Sequence, residues 1–450
     1  MNIIPIKKAS VVLDDQLAET VYDPKSRTTK YAIFKNEKVA YYESLEIDSK
    51  KYLPLSPDSD FISKRIILFP SIAMDYGTTN DLIDDIRAYI HKYVDISDTF
   101  EGLLPYYVLL SWVYERFHEI PYIRAIGDYG SGKTRFLKVV GSVCYKPIFT
   151  GGATTTAPIF RILDEIKGTL ILDEADLRAS DMTNDIVKIL NMGYAQGGSV
   201  MRMGGKDYSE MRAFDVFSPK IIATRETFND KALESRFLIE EMNKSILRKD
   251  IPRNLHKGFE TEALDLRNKL LMWRFRNFRK DTQYIEPVLE NIHPRLYQII
   301  VPLMEIMDDE SQKDSLKKLV TKLNADIVAE QGQSIEAEVL IAILELAENT
   351  SQNTLLIGEI TNQYNKDISE SYEKASARKI GWIVSKKIKL KSVKTRNGFA
   401  IDLERNKDRI NDLKNRFGLS KDGPENELVN NVNYVETPTA LATNTQNHER

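Results

Sequence analysis

Two short stretches carry residue types that can do chemistry together. Residues 125–137 read AIGDYGSGKTRFL, with Gly127, Gly132, Lys133 and Thr134 in the spacing G-x-x-x-x-G-K-T. A phosphate chain carries several negative charges that must be held away from water. A glycine-rich turn points successive backbone N–H groups inward, and a helix beginning there aims its positive end at the same spot. In that pattern Gly127, Asp128, Tyr129, Gly130, Ser131 and Gly132 form the turn, and Arg135 follows them into the helix. Lys133 reaches the β- and γ-phosphates, and the Thr134 hydroxyl ligates magnesium. Only glycine is expected to be unhindered at 127, 130 and 132. Further on, LILDEAD ends an apolar run in acids. Asp173 stands where a carboxylate would hold the magnesium through water. Glu174 would polarise the attacking water as a general base, and Asp176 reads as a solvated or helix-capping acid.

Two more positions complete the set. KIIAT ends at Thr224, whose hydroxyl would orient the lytic water. DKALESRFL places Arg236 between a short helix and a strand. A cation there would reach the γ-phosphate of a neighbouring subunit and stabilise transition-state charge, with Arg225 as runner-up.

The elements that must position these residues alternate. Strands are expected at 122–126, 146–150, 168–176, 220–224 and 236–240. Helices are expected from near Gly132, at 155–166 with Thr156 as cap, and at 182–195. Strands alternating with helices predict an α/β fold with a parallel sheet covered on both faces. Before this core, residues 1–76 form a strand-rich domain of unassigned role, with a hairpin turning at Asn36-Glu37. Residues 77–121 are a helical lead-in, 122–245 the core, and 246–334 a helical lid or connector. Residues 335–405 form a separate module, and 406–450 a largely disordered tail.

GDYGSGKT, LILDEAD, IIAT and ALESRF in this order resemble the AAA+ P-loop ATPases. The short gap between the first two motifs is similar to superfamily 3 and minichromosome-maintenance-type DNA helicases of plasmids, viruses and mobile elements. The resemblance implies ATP and Mg2+ as cofactors, a hexameric homo-oligomeric ring with nucleotide at subunit interfaces, and DNA in a central pore. It also implies a DNA-gripping hairpin before the strand at 220–224. Residues 197–217 occupy that place, with Lys206 at the tip and Arg202 on the flank. Thr154, Thr155 and Thr156 sit where the other pore loop lies, and Arg295 is offered as a second sensor in the lid. Superfamily 3 has asparagine at the sensor position where this chain has Thr224.

Within 335–405, three helices followed by a hairpin around Asn397-Gly398 resemble a winged helix. From Ser371 to Arg396 there are nine Lys or Arg and one acid, Glu373. That concentration suits phosphate neutralisation, with Arg378, Lys379 and Lys386 on the third helix and Lys394 and Arg396 on the wing. Trp382 reads as core.

Composition bounds the rest. Hydrophobic residues make up 42% of 450, enough for two or three cores, and a net charge of -3 confines any nucleic-acid surface to local patches. The single cysteine, Cys144, excludes an internal disulfide and fits a cytoplasmic setting. The N-terminus is a poor signal peptide, and the apolar run 103–117 is too short to span a bilayer, so no membrane partner is expected. Two functions compete. One is an ATP-driven DNA translocase, a ring-forming replicative helicase. The other is a loader or remodelling ATPase acting on a replication protein partner without unwinding.

Overall fold

The structure is a computed structural model that describes residues 5–13, 16–151, 155–173, 181–204, 210–228, 230–242, 248–280, 292–332, 334–350, 352–366 and 374–419. Glu174, Asp176, Lys206 and Thr154 lie outside the described residues, as does the tail beyond 419. The chain divides into two compact units, residues 1–321 and 322–450.

The first unit begins with an antiparallel meander of β1 (Ser10–Val12), β2 (Leu17–Asp23), β3 (Thr28–Lys35) and β4 (Lys38–Tyr42). Asn36 and Glu37 turn β3 into β4 with φ of 50° and 60°, the left-handed pair that a two-residue hairpin requires. Helix α1 (Thr79–Tyr93) is started by a capping box: the Thr78 hydroxyl accepts from Asp81 N, and the Asp81 carboxylate accepts from Thr78 N. Helix α2 (Asp98–Trp112) is apolar all round and buried accordingly. Its aromatic tips are satisfied, with Tyr107 donating to the Lys220 carbonyl at 3.0 Å and Trp112 to that of Val143 at 2.9 Å.

The core then alternates. In chain order come β5 (Tyr122–Ile126), α3 (Lys133–Val143), β6 (Ile148–Thr150), α4 (Thr156–Ile166), β7 (Leu170–Leu172) and α5 (Asp181–Met192). A hairpin of β8 (Ser199–Gly204) and β9 (Glu210–Asp215) follows, then β10 (Lys220–Thr224), α6 (Lys231–Glu234) and β11 (Phe237–Glu241). The five parallel strands lie in the order β11-β5-β10-β7-β6. They are buried on both faces, which is why they read as near-continuous apolar runs. Helix α3 packs on one face, and Ile186 and Leu190 of α5 join Tyr122, Leu172 and Ile222 on the other. Helix α4 is capped by Thr155 rather than Thr156, and no side-chain bond closes that cap. Helices α7 (Lys257–Asn277) and α8 (Pro294–Ile306) follow.

A buried charge cluster ties three of these parts together. Glu19 of β2 pairs with Lys146 at 2.9 Å and with Arg274 of α7 at 2.8 Å, accepts from Tyr145 Oη at 2.7 Å, and Arg274 reaches Glu115 at 2.8 Å. Burial pushes the Glu19 carboxyl up, but Lys146, Arg274 and the Tyr145 hydroxyl outweigh it and hold the group below its ordinary value of 4.5.

Helix α9 (Glu310–Gly332) runs across residue 321, where the first unit ends, so no glycine- or serine-rich linker marks the division. The second unit holds α10 (Ile335–Asn349), β12 (Thr354–Leu356), α11 (Ile357–Tyr364), α12 (Ala377–Trp382), β13 (Ser392–Thr395), β14 (Gly398–Asp402) and α13 (Lys407–Arg416). Its strands form an antiparallel sheet, β12-β14-β13. Helix α13 occupies part of the stretch expected to be tail, because Ile410, Leu413 and Phe417 supply an apolar stripe to this unit's core. Among the described residues no helix is long and apolar enough to cross a membrane.

Removing one member of a buried ion group costs about 3–5 kcal/mol, so Arg274→Ala is expected to lower thermal stability by that order. Because the Glu19 pKa is depressed, its contribution is present above 4.5 and is lost as pH falls through the folded value. Melting curves from pH 6 down to about pH 3 should show Glu19→Gln starting lower than the parent and lacking part of its acid-side decline. Parallel declines would remove the cluster from this role.

Candidate functional site: a phosphate cradle at the sheet edge

The turn between β5 and α3 has the backbone of an anion cradle. Gly130 and Gly132 have φ of 78° and 95°, a region that a side chain enters only with strain. Gly127 has no such φ, so the expectation that all three positions need glycine's freedom holds at two. It is buried, and its N–H donates to the Thr224 carbonyl at 3.3 Å. Helix α3 begins at Lys133 with Gly132 as its N-cap. Its first N–H groups and positive end open on the turn. The Lys133 ammonium folds across the turn onto the carbonyls of Gly127 (2.6 Å) and Asp128 (2.7 Å). Asp128, Tyr129 and Thr134 are exposed, Tyr129 at 91%. The Ser131 hydroxyl is buried with no hydrogen-bond partner among the described residues.

A cavity of about 570 Å³ opens over this turn, lined by residues 129–135, Lys138, Asp173, Ala223, Arg225, Asn254 and Leu255. The volume lies in the range of about 300–1,000 Å³ that takes small-molecule ligands. Ammonium, hydroxyls, helix N-terminus and one carboxylate on a single cavity fit a magnesium-bound triphosphate. Arg135 has a different placement from the cradle residues. Its guanidinium donates to the carbonyls of Pro252 (2.6 Å) and Arg253. It thereby fixes the segment that brings Asn254 and Leu255 to the cavity.

Strand register delivers the rest of the lining. Leu172 pairs with Ile222 and Ile126 with Thr224, so the loops after β5, β7 and β10 leave from one edge. Asp173 follows β7 directly, its N–H donating to the Thr150 carbonyl at 3.1 Å. At the end of β10, side chains alternate between faces. Ala223 and Arg225 border the cavity, whereas Thr224 shares the face of Ile222 and is 1% exposed. The Thr224 hydroxyl has no partner among the described residues. Arg225, the runner-up in sequence, is thus the strand-end side chain at the cavity.

Arg236, read from the sequence as a cation for a neighbouring subunit's nucleotide, is turned into its own chain. It is 6% exposed. Its guanidinium donates to the Asn191 side chain and to the Ala232 carbonyl (2.7 Å), and lies 4.3 Å from the centre of the Tyr194 ring. These partners hold it inward against the cost of desolvating the guanidinium. Arg295 of α8 donates to the same Ala232 carbonyl at 3.1 Å, placing it against α6 rather than among the cavity lining. Asn191 is also bonded to Asp230 at 2.9 Å. Arg124, in the strand that feeds the cradle, is wholly buried and bidentate to Glu234 of α6 at 2.6 and 2.5 Å. An arginine inside an apolar strand pattern was the available signal for this pairing.

The β8–β9 hairpin forms, with Met203 opposite Met211 and Gly204 opposite Glu210. Arg202 turns inward, ion-paired with Asp185 at 2.6 Å and over the Phe160 ring at 4.8 Å, so it is not on the outward face expected of a phosphate contact. The outward face carries Met201, Met203 and Met211, at 66, 53 and 67% exposure. Alternation in SVMRM was the signal for this apolar face. The hairpin base is held by Lys220, wholly buried, whose ammonium donates to the carbonyls of Gly193, Val216 and Ser218 at 2.9–3.0 Å. Burial pushes that ammonium well below its ordinary pKa. In the second unit Arg378, Lys379, Lys386, Lys394 and Arg396 are all exposed. Trp382 is 53% exposed and not core, because Ile380, Ile383 and Val384 take the inner face.

No protein-family model matches the chain, and no curated protein matches it. Solved structures do. The C-terminal region of NrS-1 is 13% identical over 86% of this chain and 96% of its own, with a TM-score of 0.33. The Cch active helicase of SCCmec type IV is 11% identical over 90% and 99%, with a TM-score of 0.37. The JCV helicase is 13% identical over 59% and 65%, with a TM-score of 0.23. At these similarities the functional reading rests on the chain's own residues.

A Cβ at position 132 would sit at φ 95°, which costs about 1–2 kcal/mol. Gly132→Ala is therefore expected to lower thermal stability by that order and to weaken triphosphate binding at least tenfold, read by calorimetric titration. Unchanged binding would mean that the turn is not an anion cradle.

Proposed function

We propose that the protein is an ATP-hydrolysing DNA translocase, a ring-forming DNA helicase of the AAA+ type that the sequence resembles. The observation that carries this reading is the convergence of the Lys133 cradle, Asp173 and Arg225 on one cavity at the carboxyl edge of a parallel sheet. Open α/β sheets bind their ligands there.

The roles are read from the sequence motifs, with the placement of the described residues as support. Lys133 exchanges two backbone carbonyls for the terminal phosphates. Thr134 and Asp173 hold magnesium, which neutralises phosphate charge when bound. Glu174, adjacent to Asp173, accepts a proton from water. Arg225 brings a cation to the cavity from the neighbouring strand. Thr224, behind it, accepts from the Gly127 N–H through its carbonyl and so couples β10 to the cradle. Arg236 acts on a neighbouring subunit's nucleotide only if its bonds to Asn191 and Ala232 open as the ring closes, and Arg295 moves with it through the same carbonyl. The hairpin carrying Lys206 reaches DNA in the pore.

The second unit is read as a winged helix that tethers DNA. Its helix–strand–helix–helix–hairpin order supports this, as do the exposed bases on α12 and the hairpin.

Glu174→Gln is expected to keep ATP binding and to lose both hydrolysis and the unwinding of a forked duplex, by at least a hundredfold. Normal unwinding by this variant would remove Glu174 from the role. If DNA stimulates hydrolysis without strand separation and Lys206→Ala changes nothing, the protein is a loader or remodelling ATPase instead.

A further inference from the structure

We propose that the groove between α12 and the β13–β14 hairpin takes unpaired nucleotides, stacking bases on Trp382 and Phe399 while the surrounding lysines and arginines hold the phosphates. This rests on the reading of the second unit as a DNA-binding module and names the form of DNA it takes. A cavity of about 580 Å³ lies between the helix and the hairpin, with Trp382 on one side and Phe399 on the other. Both rings are more than half exposed, Trp382 at 53% and Phe399 at 57%. Large apolar side chains on a small, well-packed unit are ordinarily buried, and here the core is filled without them.

Charge sits beside each ring. Arg378 lies four residues before Trp382, on the same helical face, and lines the same cavity. Lys387 lies 5.5 Å from the Trp382 ring centre. Lys394 is directly opposite Phe399 in the hairpin register and therefore shares its face. The floor is small: Gly358 has open space above it, and Gly381 brings only Ile357 near. A duplex presents phosphates and groove edges but hides its base faces. Exposed rings interleaved with cations suit bases whose faces are available, the arrangement that binds single strands. An apolar peptide would have no use for the cations: residues 374–396 contain no acid, and of these cations Lys387 is paired from outside the segment, with Glu336 at 3.8 Å.

The chain's three tryptophans make the test direct. Trp112 and Trp273 are 1% and 3% exposed, so a ligand at the groove quenches the emission of Trp382 alone. The full chain would be titrated with oligo-deoxythymidine and with a duplex of equal length, following tryptophan emission and, separately, affinity by anisotropy. The single strand is expected to quench saturably and the duplex to quench weakly. Phe399→Ala is expected to weaken single-strand binding about 5- to 150-fold, the range for one lost base–aromatic contact, with duplex affinity changed less than twofold and Phe399→Tyr restoring the loss. Equal quenching by both DNAs, or undiminished single-strand affinity in Phe399→Ala, overturns the proposal. If Lys394→Ala with Arg396→Ala then lowers affinity for both DNAs alike, the module still binds DNA and only the stacking is wrong. If the parent binds neither DNA, the underlying reading fails with it.

Discussion

The parallel register of β5, β10 and β7 is the constraint on which the site depends. With Ile126 beside Thr224 and Leu172 beside Ile222, three strands end at one edge. The glycine turn, Asp173 and Arg225 all leave from that edge. A slip of one residue in β10 would exchange Ala223 and Arg225 for Thr224 at the cavity, because strand side chains alternate. Register is thus what brings a cation rather than a hydroxyl to the cavity over the glycine turn. It is held on both faces by apolar packing and at the base of β10 by Lys220, whose bonds leave that strand little room to slide.

Buried charge links this edge to its surroundings. Arg124 joins the strand before the cradle to Glu234. Two residues earlier in the same short helix, the Ala232 carbonyl receives Arg236 and Arg295. One turn of helix therefore collects contacts from β5, from the start of β11 and from α8. Such contacts stabilise modestly at best, since desolvating a guanidinium is costly. Their effect is specificity of placement: α6 cannot shift without breaking charged bonds on three sides.

How much of this was legible follows from the scale of each signal. Strand runs and the glycine turn are local, so Tyr122–Ile126, Lys220–Thr224 and the helix after Gly132 could be read directly. The hairpin at 199–215 showed in its alternation. Which face a side chain takes was not legible at strand ends, where Thr224 and Arg225 differ by one position. Nor was the fate of arginines, since Arg236 and Arg202 find their partners, Asn191 and Asp185, far along the chain. Trp382 was misread because apolar character alone suggested burial. Ile380, Ile383 and Val384 already filled the inner face, and only packing reveals a surplus ring. Helix α13 escaped notice because its stripe is two residues and a phenylalanine in an otherwise charged segment.

In the proposed function, main-chain amides and one ammonium neutralise a metal-chelated triphosphate at the β5–α3 turn. The most direct test is calorimetric titration of Mg·ATP into the parent and into Lys133→Ala, with melting curves showing that both are folded. Binding to the parent and a loss of at least a hundredfold in the variant is the predicted result. Equal binding by the two proteins would contradict it.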